Sequence, residues 1–536
     1  MGRAKKTLIV CLDGFTWLSG DLQLEAGNMP FLSGLRNSGS SGVLKSVIPW
    51  ETGPSWTTFQ TGCRPGKTSI TSFQRYDKRT KTLSLNSHKV IHAKTLWSQL
   101  GSYGRKFICV NLPVMYPAEY ENGIVVPGLL CPGIKADTVH PQSIYNDYIK
   151  PLGGYCITRT GIELSPAEFV DQQIVVERTR VELAKSLMRK EPWDLFCIQI
   201  HGTDNMQHYL WPYLERSAPG FTQDGFNIAG RFYRECDKMV SELVEQAGED
   251  TLVVVVSDHG FCRLERRLCL NTWFRGKGYL TVLERPKSAW NKVKDNFMPA
   301  RVLGRFYGKY IKPKAGRDEE FQWAKFMLTN LRNNLDIEKS KCFALGTSGG
   351  LVYFNVPQSD KGAFFEKLKG ELLEEFGEGS KSPCIKRIES GCDMYGVADN
   401  DFLPDMVIEY LQGVSSETTP ANTGAILGPD AFSENQVGMT GTHSQDGIIV
   451  MHGRDINGGQ KIDGAGIADI TPTVLAYMGI EVPSGIDGRV LGEYFKEPLK
   501  YTSAGKDNGS SANRQDSYSA GEKDKIEREL ASLGYM

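Results

Sequence analysis

A chain of 536 residues with 40% hydrophobic and 23% charged side chains can bury a large core, which excludes a disordered or fibrous protein. Its formal net charge of -1 offers no global attraction to a nucleic-acid backbone or an anionic membrane, so no nucleic-acid polymer is expected as partner. The twelve cysteines are scattered without any CxxC, and several lie in apolar runs such as LIVCL and LFCIQI, where they read as small buried side chains.

The first predicted strand is TLIVCLD, 7–13, whose apolar run stops at Asp13 and is too short for the core of a signal peptide. No stretch elsewhere approaches the roughly 18 uninterrupted apolar residues of a membrane span, and a cytoplasmic location is expected. Next comes PWETGPSWTTFQTGCRPGK, 49–67, which carries hydroxyls at Thr52, Ser55, Thr57, Thr58 and Thr61 around a predicted helix start. A hydroxyl at a helix N-terminus faces backbone N–H groups that favour an anion. KFICVN, 106–111, is a second strand, and 165–190 is a long amphipathic helix opening on a Ser165 cap with Glu168 three residues on.

The strand DLFCIQIHGTD, 194–204, leads into Asp204 and His208, whose i, i+4 spacing puts both on one face of a helical turn. A helix over 231–248 follows, then the strand TLVVVVSDHG, 251–260, which delivers Asp258 and His259. Residues 264–430 read as an inserted α+β cap, with strands at 349–356 and 405–411 around a helix at 361–377. Within it, 285–317 holds ten Lys or Arg against one Asp; this basic arm is either a solvated face or an arm that attracts an anionic substrate or makes a peripheral membrane contact. His443, in GTHSQDG, precedes a last strand at 447–453. The polar stretch 501–521 reads as a linker, and 522–536 as an amphipathic helix whose Ile526, Leu530 and Leu533 dock on the body or on a second copy in a homo-oligomer.

Near-continuous apolar strands alternating with helices predict an α/β fold with a mostly parallel central sheet flanked by helices. Its core comprises 1–263 and 431–500. Ligands collect at the carboxyl ends of such strands, which is where Asp13, Asp204, His208, Asp258, His259 and His443 fall. Three of the chain's eight histidines lie in this set. Mixed Asp and His donors suit two divalent ions, zinc first and manganese second, that clamp an in-line phosphoryl displacement. A threonine of 49–67 would attack phosphorus; chemistry alone does not choose which.

LIVCLDGFTW, PWETGPSWTTFQTGCRPGK, HGTDNMQHYLWP, VVSDHGF, LNTWFRGKGYL, GTHSQDGIIVM and DITPTVLAYMGIEVPSGIDGRVL stand in an order that resembles the alkaline phosphatase superfamily, in its type I phosphodiesterase and nucleotide pyrophosphatase branch. The resemblance spans about 6–495 and implies an alkaline phosphatase-like fold. It implies Thr52 as the nucleophile, one ion on Asp204, His208 and His443, and another on Asp13, Asp258 and His259 with the Thr52 oxygen beside it as a further member of the metal site. The implied reaction is hydrolysis of a phosphodiester or pyrophosphate bond, in a small-molecule or lipid-linked substrate, through a phosphoryl-threonine.

Two departures stand out. PGKTSI replaces the PGKHGI frequent in the family, and Phe73 occupies the substrate-binding position where nucleotide pyrophosphatases carry an Asn, so nucleotide specificity is not implied. Arg64 and Arg75 are the candidates for a clamp on a dianionic monoester. Hydrolysis of a phosphomonoester, phosphonate or sulfate ester on the same residues, or a catalytically inert binding protein, are the alternatives.

Overall fold

Aliphatic and β-branched runs become the central strands of the fold. The structure, a computed structural model, describes residues 5–159, 164–283, 335–346, 350–417, 425–430, 437–504 and 518–533. Eight strands form the main sheet: β1 (Lys6–Leu12), β2 (Ser40–Lys45), β3 (Phe107–Val110), β4 (Gly123–Val126), β5 (Leu195–Ile200), β6 (Thr251–Val256), β7 (Asp446–His452) and β8 (Lys461–Gly466). Their order across the sheet is β8-β2-β7-β6-β1-β5-β3-β4. Every pairing is parallel except those of β7, which runs antiparallel to β6 and β2.

The central strands are buried on both faces, which is why they lack polar alternation. Leu8, Val10, Phe196, Ile198, Val253 and Val255 point into one core. Ile9, Cys11, Leu195, Cys197, Leu252 and Val254 point into the other, with Trp56, Phe59 and Trp97. Helix α1 (Thr52–Thr61) lies on this second face, while α2 (Pro166–Lys190), α3 (Gly202–Leu214) and α4 (Gln223–Ala247) cover the first. Ser165 caps α2 in a reciprocal capping box with Glu168. Helix α4 begins well before the expected 231. Thr222 caps it through the Gly225 amide at 3.0 Å, and Gly225 is tolerated because a Cβ there would stand 2.2 Å from the Tyr213 ring.

A second sheet joins Cys342–Leu345, Gly350–Phe354, Met406–Tyr410 and Ile385–Ser390 in that spatial order, all antiparallel. The helix Lys361–Phe376 packs on it through Leu368, Leu372 and Phe376. This unit docks on the hairpin Gln74–Asp77 and Thr82–Leu85, where the Tyr76 ring meets Phe343 at 4.9 Å and Tyr353 at 5.3 Å. The basic arm 285–317 lies outside the described residues. Among the described residues no helix is long and apolar enough to cross a membrane.

Helix α5 (Ala520–Ser532) starts two residues before the expected 522 because Ser519 caps it, with Glu522 returning to the Ser519 amide at 2.8 Å. Its Ile526 and Leu530, with Leu533 just beyond, are each 1% exposed in a cluster with Phe73, Ile70, Val114, Leu129 and Leu130. Burial pushes the Glu529 carboxyl up to about 7, against the lowering effects of Lys525 and His201. A carboxyl whose folded value exceeds its unfolded one stabilises fully below the unfolded value, and that contribution is lost as pH rises through 7. Amide protection of α5, corrected for intrinsic exchange, is therefore expected to be greater at pH 5.5 than at pH 8.

Candidate active site

The carboxyl ends of β1, β5 and β6 lie side by side, and each continues into a polar turn. Asp13 follows β1 directly, Asp204 lies in the first turn of α3 just past β5, and Asp258 and His259 follow β6. The chain turns sharply after Asp13 at Gly14, whose φ is +63° and whose amide donates to Asp258 Oδ1 at 3.1 Å. A Cβ at Gly14 would stand 2.5 Å from the Phe261 ring, so a side chain is excluded there. His443 comes from a two-stranded ribbon, Gly441–Ser444 against Gly260–Arg263, in which it pairs with Phe261. Thr52 is the first residue of α1.

These seven residues converge in one buried cluster. Asp13, Thr52, Asp204, Asp258 and His259 are 0% exposed, and His208 and His443 are nearly so. Thr52 Oγ1 stands 3.2 Å from His259 Nε2. Asp204 reaches His208 Nε2 at 3.6 Å, His443 Nε2 at 3.4 Å and His259 Nε2 at 4.0 Å. His259 Nε2 also lies 3.4 Å from Asp258 and 3.7 Å from Asp13.

The histidine rings are aimed by their other nitrogens. Nδ1 of His208 donates to the Gly441 carbonyl at 3.1 Å, that of His443 to the Trp50 carbonyl at 2.7 Å, and that of His259 to the Gly260 carbonyl at 3.2 Å. With the proton on Nδ1, each neutral ring turns its Nε2 lone pair inward. The Nε2 atoms of His208 and His443 then face each other at 3.0 Å as two acceptors, an arrangement that calls for a cation.

The carboxylates make the same demand. Among the described residues no hydrogen-bond donor reaches Asp13 Oδ1 or Asp258 Oδ2, although both are buried. Burial and the neighbouring Asp13 charge push Asp258 well above the usual carboxylate range. Burial pushes His208 down to about 4, and burial with the His443 charge pushes His259 well below the ordinary imidazole value. Burial opposes ionisation of Asp204 as well, yet His208 and His443 hold it below the usual range. Donor atoms of Asp204, His208 and His443 lie within 4.8 Å of one another, as do those of Asp13, Asp258 and His259. Two sets of oxygen and imidazole donors, desolvated and short of positive charge, fit divalent ions of the zinc or manganese type.

Asp13 is held from behind: Trp56 Nε1 donates to its Oδ2 at 3.0 Å, and Gln199 Nε2 donates to the same oxygen. Its Oδ1 is thereby left to face the cluster. Trp56→Phe keeps an aromatic ring but removes one of these donors, so zinc affinity is expected to fall about tenfold, as read by competition with a chromogenic chelator.

His201 was not singled out in the sequence. It is 1% exposed, its Nδ1 lies 3.4 Å from Asp13 Oδ2, and with Asp13 and Asp204 it forms a third grouping of donor atoms. The signal that could have found it is its place as the first residue after β5.

Phe73 is 1% exposed and its ring lies against Gly53, where a Cβ would be 3.1 Å away. It stands beside the start of α1, and its side chain, unlike that of an Asn, has no polar atom to offer a phosphoryl oxygen. Arg75 is engaged with Ser84 Oγ at 3.1 Å and lies over the Phe402 ring at 5.2 Å. Arg64 follows the ten-residue α1 at its far end, about 15 Å along the helix from Thr52. It lines a cleft of about 660 Å³ between the main sheet and the second sheet.

Known proteins share this architecture. The fold matches phosphonoacetate hydrolase from Sinorhizobium meliloti 1021, solved with phosphonoformate, at a TM-score of 0.53 and 14% identity over 87% of this chain and 94% of that one. It also matches human ectonucleotide pyrophosphatase/phosphodiesterase 5 at a TM-score of 0.51 and 12% identity, over 92% of this chain and 100% of that one. An inactive threonine-to-alanine variant of the murine counterpart, in complex with AMP, matches at 0.50 and 11% identity over 89% and 95%. None of the curated proteins is significantly similar in sequence. Residues 7–344 match the sequence family described as type I phosphodiesterase/nucleotide pyrophosphatase. The chain therefore belongs to the type I phosphodiesterase/nucleotide pyrophosphatase family of hydrolases, on an alkaline phosphatase-like α/β fold.

Proposed function

We propose that this protein hydrolyses a phosphodiester or pyrophosphate bond in a small substrate, with Thr52 as nucleophile and two divalent ions, zinc foremost, as cofactors. The observation that carries the reading is the placement of Thr52 Oγ1, at the N-terminus of α1 and 3.2 Å from His259 Nε2, beside two buried sets of Asp and His donors. Asp204, His208 and His443 would hold one ion; Asp13, Asp258 and His259 would hold the other. Bound ions would supply the positive charge that lowers the Thr52 hydroxyl pKa and stabilises the phosphoryl and leaving oxygens.

The chain's own residues do the rest. Thr52 Oγ1 bonds to phosphorus as the bond to the leaving oxygen breaks, and water then cleaves the Oγ1–P bond to release the product and regenerate the hydroxyl. First-turn amides of α1 favour the anionic phosphoryl group. The carbonyls of Trp50, Gly260 and Gly441 keep the three imidazoles oriented, and Trp56 and Gln199 do the same for Asp13. Twelve unpaired cysteines support a reducing, cytoplasmic setting.

The test is the initial rate of zinc-loaded protein on bis(4-nitrophenyl) phosphate, 4-nitrophenyl phosphate and phosphonoacetate. The diester is expected to turn over at least about tenfold faster than the monoester, a reading supported by the place of Arg64 about 15 Å along α1 from Thr52 and by the bond of Arg75 Nε to Ser84. Faster monoester or phosphonate cleavage would keep the site and change the bond class.

A further inference from the structure

The side chains behind Asp13 form one continuous chain of hydrogen bonds. Gln199 Nε2 donates to Asp13 Oδ2, Asn111 Nδ2 donates to Gln199 Oε1 at 2.8 Å, and the Tyr155 hydroxyl donates to Asn111 Oδ1 at 3.0 Å. Arg180 Nε donates to the Tyr155 oxygen at 3.2 Å and closes the chain. Gln199 lies in β5, Asn111 directly follows β3, and Arg180 belongs to α2, so the chain runs from the carboxyl edge of the sheet to the helix that covers it. Asn111, Gln199 and Arg180 are each 0% exposed.

The far end of the chain is anchored on all sides. Arg180 Nη1 pairs with Glu177, and Nη2 donates to the Ile157 carbonyl. Glu177 Oε1 accepts the Gly202 amide, next to His201, at 2.7 Å. Asn111 has a φ of +67°, in the left-handed region that Asn enters more readily than most residues, where the chain leaves β3. Its amide is thereby held between Tyr155 and Gln199 by the backbone as well as by its bonds.

Direction is what these bonds decide. A buried carboxamide can present either its oxygen or its nitrogen to a neighbour, and two in series can reverse together. A guanidinium only donates. With Arg180 at one end, the Tyr155 oxygen must accept, its proton points to Asn111 Oδ1, Asn111 Nδ2 meets Gln199 Oε1, and Gln199 Nε2 is left for Asp13. The Asp13 carboxylate only accepts, so both ends impose the same sense, and bonds in such a chain polarise one another at low local dielectric. The reverse sense would set Gln199 Oε1 against Asp13 Oδ2, two acceptors in a desolvated site.

We propose that Arg180, Tyr155 and Asn111 are positioning residues, a relay that fixes Gln199 as a donor to Asp13 Oδ2 and so keeps Asp13 Oδ1 turned to the ion it shares with Asp258 and His259. This rests on the two-ion reading of the site and adds to it the residues that set the aim of one ligand from the opposite side of the sheet edge.

The test follows zinc binding to the full-length protein by competition with a chromogenic chelator, with the melting temperature of the ion-free protein measured alongside. Asp258→Asn identifies which of the two ions Asp13 shares. Tyr155→Phe keeps the ring and removes the hydroxyl; it is expected to weaken that ion about fivefold, to leave the other within twofold, and to leave the ion-free protein melting within a few degrees of wild type. Gln199→Met, which removes a direct partner of the ligand, should weaken the same ion about tenfold. In that background Tyr155→Phe should add less than twofold, because its effect travels through Gln199. Equal weakening of both ions by Tyr155→Phe, no weakening of either, or the full fivefold loss on top of Gln199→Met would each overturn the relay. Selective weakening in a protein that hydrolyses no phosphoester would instead overturn the reaction and leave the relay standing.

Discussion

Thr52→Ala is expected to lower kcat on bis(4-nitrophenyl) phosphate by at least about 1000-fold, with the fold and the bound zinc retained. Thr52 is fully buried at the first position of α1, with its oxygen 3.2 Å from His259 Nε2. Both Asp/His donor sets lie on other residues, so removing one hydroxyl leaves them intact. Thr52→Ser, which restores an oxygen at that position, should recover much of the rate. A Thr52→Ala protein with wild-type turnover and wild-type zinc content would move the nucleophile to another hydroxyl of α1, Ser55 or Thr57 first.

Asp204→Asn is the substitution with the next largest effect. Its carboxylate lies between His208, His443 and His259, and it belongs to two of the three donor groupings. The amide preserves shape and removes the charge that draws a cation toward the facing Nε2 atoms of His208 and His443. We expect the loss of at least one zinc per chain and a fall in turnover of at least about 1000-fold. A binding ion raises the melting temperature of wild type by mass action; that rise should be largely absent in the variant, while the ion-free proteins melt alike within a few degrees. Undiminished zinc content in Asp204→Asn would show that Asp204 orients the histidines without ligating.

The central strands and the cluster at their ends were legible in the sequence for one physical reason. A parallel sheet covered on both faces writes itself as an unbroken apolar run, and the polar residue that ends the run marks the carboxyl edge. Asp13 announces itself this way, and Asp258, His259 and Asp204 follow within four residues of the end of their runs. Strand β2, SSGVLK, carries no such run, because Gly42 must admit the Ile462 carbonyl, 2.0 Å from where a Cβ would sit. The first turns of α4 were hidden by Gly225 and Gly230, which lower helix propensity and are present for close packing. The strand-end place of His201 is its one signal in the sequence, and one sequence does not separate a strand-end histidine 3.4 Å from Asp13 from one that fills a core. Contacts across long separations, such as Phe73 on Gly53 with α5 behind it, follow from packing that no local pattern encodes.

The most direct test of the account is to strip the protein with a chelator and follow its rate on bis(4-nitrophenyl) phosphate against equivalents of zinc added back. The stripped protein is expected to be inactive, with a rate that rises to a plateau at about two zinc ions per chain. Full activity in the stripped protein, or no phosphoester hydrolysis with both ions bound, would contradict it.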